Sequence, residues 1–148
     1  MDRPHPPQHA NPQIHALVVD DSTTVRRLME LTLSPLGVKL DFTDNGEDAV
    51  ALAKQGNYDV IFLDILLPGI DGYRVCRTIK GDKHTKDTPV IMLTSKGSAI
   101  DKVRGIMAGT NVYLTKPLDR SELIQAIGKC LPMKAALGSH YGMSIEAR

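Results

Sequence analysis

Two periods alternate along this chain. Short apolar runs, Ala16-Leu17-Val18-Val19, Val60-Ile61-Phe62-Leu63 and Val90-Ile91-Met92-Leu93, read as strands buried on both faces. Between them, apolar residues recur every three or four positions, as on one face of a helix. The first strand is predicted over 14–19. Ser22 is placed to cap the helix that follows, which carries Val25, Leu28, Met29, Thr32 and Leu36 and stops at Gly37. A shorter, more exposed strand follows over 38–43. Asn45-Gly46 turns into a helix over 47–55 bearing Ala49, Val50, Leu52 and Ala53, which Gly56-Asn57 breaks. The third strand is predicted over 58–63 and a helix over 72–80, burying Val75, Cys76 and Ile79. The fourth strand runs over 89–93, with Pro89 at its first residue, where a missing donor is tolerated. Ile100, Val103, Ile106 and Met107 stripe the fourth helix, which Gly109 ends. A short fifth strand over 112–114 leads to a last helix over 121–131, with Leu123, Ile124, Ile127 and Leu131 inward.

Five strand–helix units in one domain predict an α/β fold: a doubly wound parallel sheet with helices on both faces. The continuous apolar runs of the first, third and fourth strands mark its centre, and the second and fifth its edges. The strand order 2-1-3-4-5 of the flavodoxin-like folds fits. In such sheets a ligand binds beyond the carboxyl ends of the strands, where the order reverses between strands one and three.

Composition narrows the picture. The 148 residues suit one domain; 42% are hydrophobic and 24% charged, and the net charge is +1. That balance gives no field to attract nucleic acid or an anionic membrane. No apolar run approaches membrane-spanning length, and the start carries no secretory pattern. Cys76 and Cys130 fall singly on predicted helices and read as buried free thiols in a reducing cytoplasm. Residues 1–13, rich in Pro, His, Gln and Asn, read as a disordered tail in which His5 and His9 are solvated. Residues 14–131 form the domain, and residues 132–148 a weakly patterned second tail.

The chemistry lies at the strand ends. Asp20 and Asp21 follow the first strand, Asp64 the third, Thr94 the fourth and Lys116 the fifth. Singly, each has an ordinary use: a strand-end Asp caps a helix, a Thr bonds backbone, a Lys is solvated. Together, at one sheet edge, they crowd three carboxylates, which repel one another and need a cation. Mg²⁺, a hard ion that takes oxygen ligands and keeps some waters, suits Asp21 and Asp64 directly and Asp20 through water. A second oxygen of Asp64 is then free to attack a clamped phosphoryl group and form an acyl phosphate. The metal and Lys116 would neutralise the transferring oxygens, and Thr94 could hydrogen-bond one of them.

Four motifs, Val18-Val19-Asp20-Asp21-Ser22, Leu63-Asp64-Ile65-Leu66-Leu67-Pro68-Gly69-Ile70-Asp71-Gly72, Met92-Leu93-Thr94-Ser95 and Tyr113-Leu114-Thr115-Lys116-Pro117, make the chain resemble a receiver domain of two-component response regulators over about residues 14–131. The resemblance implies that Asp64 is the phosphoacceptor, loaded from a phosphohistidine on a histidine kinase or phosphotransfer domain. It implies that Asp20 and Asp21 hold Mg²⁺ with the backbone carbonyl of Leu66. Thr94 and Tyr113 would be a switch pair: the threonine moves toward the phosphoryl group and the ring turns inward behind it. Lys116 would bond the phosphoryl group, and the Lys116-Pro117 bond would be cis. Leu67 and Leu118 stand where the family often has Met and Phe, tolerable apolar swaps. Leu66 and Lys96 occupy the two positions that tune access of the hydrolytic water. A leucine cannot orient that water, which implies slow self-dephosphorylation, and Lys96 leaves the rate open.

No DNA-binding or enzymatic output domain follows in the sequence, so the chain is similar to single-domain regulators that act by protein contact. Residues 73–80 and 88–96 resemble the twitching-motility branch of chemotaxis-like regulators, which implies a chemotaxis-type kinase and type IV pilus output. The output partner would bind the face of the fourth helix, fifth strand and fifth helix, where Lys96, Lys102, Arg104 and Arg120 add basic charge. A phosphate sink or relay shuttle would share every residue; a phosphorylation-independent adaptor would not need the acidic set. Enzymes of related folds fit less well. There is no Gly-rich phosphate loop after the first strand, no Gly-x-Gly-x-x-Gly and no Gly-Lys-Ser/Thr, and adjacent aspartates are the wrong spacing for an aspartate phosphatase. The expected chemistry is therefore the protein's own phosphorylation and dephosphorylation, not turnover of a separate substrate.

Overall fold

The computed structural model describes residues 13–95 and 99–131, the side chains of residues 99–102 and 105 apart. Five strands, β1 (His15–Val19), β2 (Lys39–Thr43), β3 (Val60–Asp64), β4 (Val90–Thr94) and β5 (Val112–Thr115), alternate with five helices. These are α1 (Thr23–Leu33), α2 (Gly46–Gln55), α3 (Gly72–Gly81), α4 (Ala99–Ala108) and α5 (Arg120–Cys130). All neighbouring strands are parallel and the order is β2-β1-β3-β4-β5, as the apolar runs predict.

The strands alternate their side chains between two cores, as a period of two requires. Ala16, Val18, Phe62, Ile91 and Leu93 face Val25, Met29 and Leu33 of α1 and Leu123 and Ile127 of α5. Leu17, Val19, Ile61, Leu63 and Met92 face Ala49 of α2, Val75, Cys76 and Ile79 of α3, and Ala108 of α4. Four helices start on a side chain that accepts a backbone amide of the first turn: Ser22 from Val25, Asn45 from Asp48, Asp71 from Arg74 and Asp119 from Glu122. The strand ends on the ligand side thereby lead straight into helix N-termini.

The structure departs from the sequence pattern in four places. The first helix does not run unbroken to Leu36. It stops at Leu33, and Ser34–Leu36 form a tighter 3-10 turn around Pro35, closed by Gly37 at φ 86°. β3 and β4 each lie one or two residues later than predicted. At β3, the Tyr58 hydroxyl donates to Asp41 Oδ2 at 2.7 Å, and Asp59, whose amide still donates to the His15 carbonyl at 2.7 Å, accepts the His15 amide on its side-chain Oδ2 at 2.8 Å instead of on a backbone carbonyl. Val103, Ile106 and Met107 do not face the core; Ile106 and Met107 are 70% and 79% exposed, and among the described side chains of α4 it is Ala108 that is buried. Cys76 is buried and donates to the Ala108 carbonyl at 3.3 Å, whereas Cys130, at the end of α5, is only half-buried. His5, His9, Lys96 and tail residues 1–12 and 132–148 lie outside the described residues, as do the side chains of Ile100 and Lys102. Among the described residues no helix is long and apolar enough to cross a membrane.

Candidate functional site

Register assembles the site. Val19 pairs with Leu63, so Asp20 and Asp64, one residue further along each strand, arrive side by side. Asp64 pairs with Leu93, so Thr94 lies one step beyond it. Thr94 pairs with Thr115, which delivers Lys116 to the same edge. The Lys116 amide donates to the Thr94 carbonyl at 2.6 Å, and the Lys116-Pro117 bond is cis, as expected.

Asp20, Asp21 and Asp64 each offer a carboxylate oxygen, and these oxygens lie within 4.8 Å of one another. Asp20 is fully buried and Asp64 is 5% exposed, while Asp21 faces solvent. Lys116 Nζ lies 2.9 Å from Asp20 Oδ2 and 3.4 Å from Asp64 Oδ2. Two carboxylates thus share one ammonium, and the third has no such partner among the described ion pairs.

The remaining lone pairs are partly spoken for. Asp20 Oδ1 accepts the Ser22 amide at 2.8 Å, and Asp64 Oδ1 accepts the Leu66 amide at 3.1 Å. Asp20 Oδ2, although paired ionically with Lys116, accepts no hydrogen bond of good geometry. Three carboxylates with one ammonium among them leave this edge net negative, and that excess charge calls for a cation. An all-oxygen donor set, part buried and part solvent-facing, fits a hard divalent ion such as Mg²⁺ that keeps some of its waters.

The charges are tuned by this crowding. Burial, and then the Asp20 charge, push the Asp64 carboxyl above the usual carboxylate range; Lys116 and the Leu66 amide pull it back only in part. Burial alone would lower Lys116, but Asp20 and Asp64 outweigh it and hold the ammonium above its ordinary value. The lysine is therefore a fixed positive charge at neutral pH.

Of the residues the sequence singles out, Asp20, Asp21, Asp64, Thr94 and Lys116 are brought to one edge. Leu66 stands next to Asp64 with its side chain 72% exposed. Tyr113 lies two ladder positions before Thr94's partner Thr115, opposite Met92, and its ring packs on the α2–α3–α4 side of the sheet.

Two supporting residues escape sequence reasoning. Arg26 Nε donates to the Asp20 carbonyl at 3.2 Å while its guanidinium lies over the Phe42 ring, an arrangement no local pattern announces. Gly72 starts α3 hard against the end of β3: a Cβ there would collide with the Asp64 carbonyl oxygen and Ile65 Cα. The Asp71-Gly72 pair, a cap followed by a residue without a side chain, was the available signal.

Many known proteins match this chain in sequence and in fold. The family model of the response regulator receiver domain matches residues 16–128. Protein PilG of Pseudomonas aeruginosa is 40% identical over 119 residues, covering 80% of this chain and 88% of PilG. The transcriptional regulatory protein ResD of Bacillus subtilis is 40% identical over 132 residues, 89% of this chain, but the chain spans only 53% of ResD, about half its length. The receiver domain of the P. aeruginosa sensor histidine kinase PA1611, solved with a magnesium ion coordinated in its active-site cleft, matches with a TM-score of 0.76 at 30% identity. That match covers 82% of this chain and 99% of the other. The fold, the acidic edge and these similarities lead to one conclusion: the chain belongs to the response regulator receiver domain family.

Proposed function

We propose that this protein is a phosphoacceptor receiver: Asp64 takes a phosphoryl group from a histidine kinase or phosphotransfer domain in a Mg²⁺-dependent reaction, and the phosphorylated form signals by protein contact. The observation that carries this reading is the cluster itself, with three carboxylate oxygens within 4.8 Å and one ammonium on two of them.

Asp20, Asp21, Asp64 and the Leu66 carbonyl would hold the ion. Bound Mg²⁺ would supply charge neutralisation at the phosphoryl oxygens. An Asp64 carboxylate oxygen attacks phosphorus in line with the donor nitrogen. The P–N bond breaks, and its electron pair leaves on the donor imidazole, which takes up a proton. Lys116, held charged, turns from Asp64 to a phosphoryl oxygen, and the Thr94 hydroxyl bonds another. Little covalent chemistry is asked of the protein beyond this nucleophile; positioning and electrostatics do the rest. Hydrolysis would be slow, because the exposed leucine at position 66 cannot orient the attacking water. Tyr113 would follow Thr94, and the α4–β5–α5 face would carry the change to a partner. The likeness to PilG favours a chemotaxis-like pathway of the twitching-motility kind, working in the cytoplasm. The exposed Val103, Ile106 and Met107 stripe favours signalling by contact over a passive phosphate sink.

The test is incubation with Mg²⁺ and acetyl phosphate or phosphoramidate, read by intact mass. Wild type is expected to gain one phosphoryl group and Asp64→Asn none. No gain on a folded wild type that binds Mg²⁺, repeated with a phosphorylated kinase as donor, would overturn the reading in favour of an adaptor.

A further inference from the structure

The Tyr113 side chain is not held only by packing. Its hydroxyl lies 3.1 Å from the hydroxyl of Tyr73, and the two are hydrogen-bonded. Tyr73, the second residue of α3, is 2% exposed. Its ring is covered in turn by Arg104 of α4, whose guanidinium carbon stands 4.3 Å from the ring centroid. Three elements, β5, α3 and α4, thus meet through one chain of side chains: Tyr113, Tyr73, Arg104. A tyrosine on an edge strand has more than one ordinary χ1 well, and one of them swings the ring outward to water. A hydroxyl partner fixed in a dry pocket selects the inward well, because leaving it costs that hydrogen bond.

We propose that Tyr73 is a positioning residue for the switch: its hydroxyl latches Tyr113 in the inward position before any phosphoryl group arrives, and its Arg104-covered ring ties that position to α4. This rests on the reading of Tyr113 as a switch residue, and it adds a bias built into α3. The latch prepays part of the rearrangement that phosphorylation requires. Any ligand that favours the inward ring therefore binds more tightly than it would without the latch, by the factor through which the latch enriches that state. A net hydrogen bond of ordinary strength sets that factor at about 2- to 10-fold.

The test is a cycle of Tyr73→Phe, Tyr113→Phe and the double variant, with two readouts. The first uses the protein without phosphodonor: aromatic-ring NMR of Tyr113 in wild type and Tyr73→Phe. The ring signals are expected to move toward those of a solvent-averaged tyrosine when the Tyr73 hydroxyl is removed. The second is affinity for beryllofluoride, a phosphoryl mimic, in saturating Mg²⁺. Each single variant is expected to weaken it by about 2- to 10-fold, and the double variant by no more than either single, because both remove the same bond. Mg²⁺ affinity without beryllofluoride should not move; a merely structural loss would lower all of these together with the melting temperature. Should Tyr73→Phe fold poorly, Tyr113→Phe removes the same bond from the partly exposed side. Unchanged Tyr113 signals in Tyr73→Phe, or additive losses in the double variant, would overturn the latch. If wild type itself fails to bind beryllofluoride, the phosphoacceptor reading falls instead, and the ring signals, which need no mimic, still decide the latch.

Discussion

At the scale of residues, the chain invests in placing charges where they are uncomfortable. Asp64 is pushed up by burial and by Asp20, so its ionised form is strained in the folded protein. Asp64→Asn removes that charge. Its melting temperature in EDTA is expected to equal or exceed that of wild type, measured calorimetrically, and a large loss would mean the carboxylate is structural. Gly72 acts in the opposite sense. Gly72→Ala forces a methyl against the Asp64 carbonyl and Ile65, with an expected loss of about 1–3 kcal/mol by denaturant titration and slower phosphoryl uptake as Asp64 shifts. At the far end of the sheet, Asp41 accepts from Tyr58 and pairs with His15. The Tyr58 hydrogen bond first, and then His15, hold Asp41 below its ordinary 3.8, against the opposing pull of burial. A lowered carboxylate contributes stability above its unfolded value, and that stability is lost as pH falls through its folded value, here below 3.8. Tyr58→Phe should therefore move the acid-unfolding midpoint to higher pH. The cost at neutral pH should be under about 1 kcal/mol, since Asp41 is partly exposed.

At the scale of elements, α4 differs from its neighbours. It holds to α3 through Ala108, the Cys76 hydrogen bond and the Arg104–Tyr73 contact, and it turns Val103, Ile106 and Met107 outward. Apolar residues exposed at helical spacing are what the proposed contact with an output partner would use. Ile106→Glu and Met107→Glu are each expected to change folding stability by less than about 0.5 kcal/mol while weakening binding of the output partner. Calorimetry and a pull-down with the phosphorylated protein read the two effects separately. Of the four positions expected to make this face basic, Arg104 and Arg120 are seen exposed, and Arg104 lies over Tyr73, so its charge is shared between the surface and that ring.

At the scale of the whole molecule, the acidic edge is a place where folding and ligand binding meet. A cation that binds the folded state and not the unfolded one stabilises by mass action. Saturating Mg²⁺ at 100 times its Kd is expected to raise stability by about 2.7 kcal/mol. Asp21 is exposed and outside the lysine's ion pairs. Asp21→Asn should therefore leave the stability in EDTA within about 0.5 kcal/mol of wild type and abolish most of the Mg²⁺ increment, as a thermal-shift titration would show.

The amino-acid sequence by itself determined the sheet, its order and the residues at its edge. Runs such as Ala16–Val19 and Val60–Leu63 are too apolar to lie anywhere but in a two-sided core, and a polar residue directly after such a run must emerge at the strand's end. The motifs around Asp20, Asp64, Thr94 and Lys116 then named the family. The apolar stripe of α4 was legible as a helix but not as an outward face, because periodicity records that one side is apolar and not what covers it. The break at Pro35, the drawing of Tyr58 to Asp41, the seat of Arg26 on Asp20 and the Tyr73–Tyr113 bond were not legible either. The first is local, set by Pro35 at the start of the 3-10 turn where the periodic pattern runs on; the other three join groups 17, 6 and 40 positions apart in the chain. Local pattern fixes which groups a strand or helix presents; only the packing of one element on another decides which two of them touch.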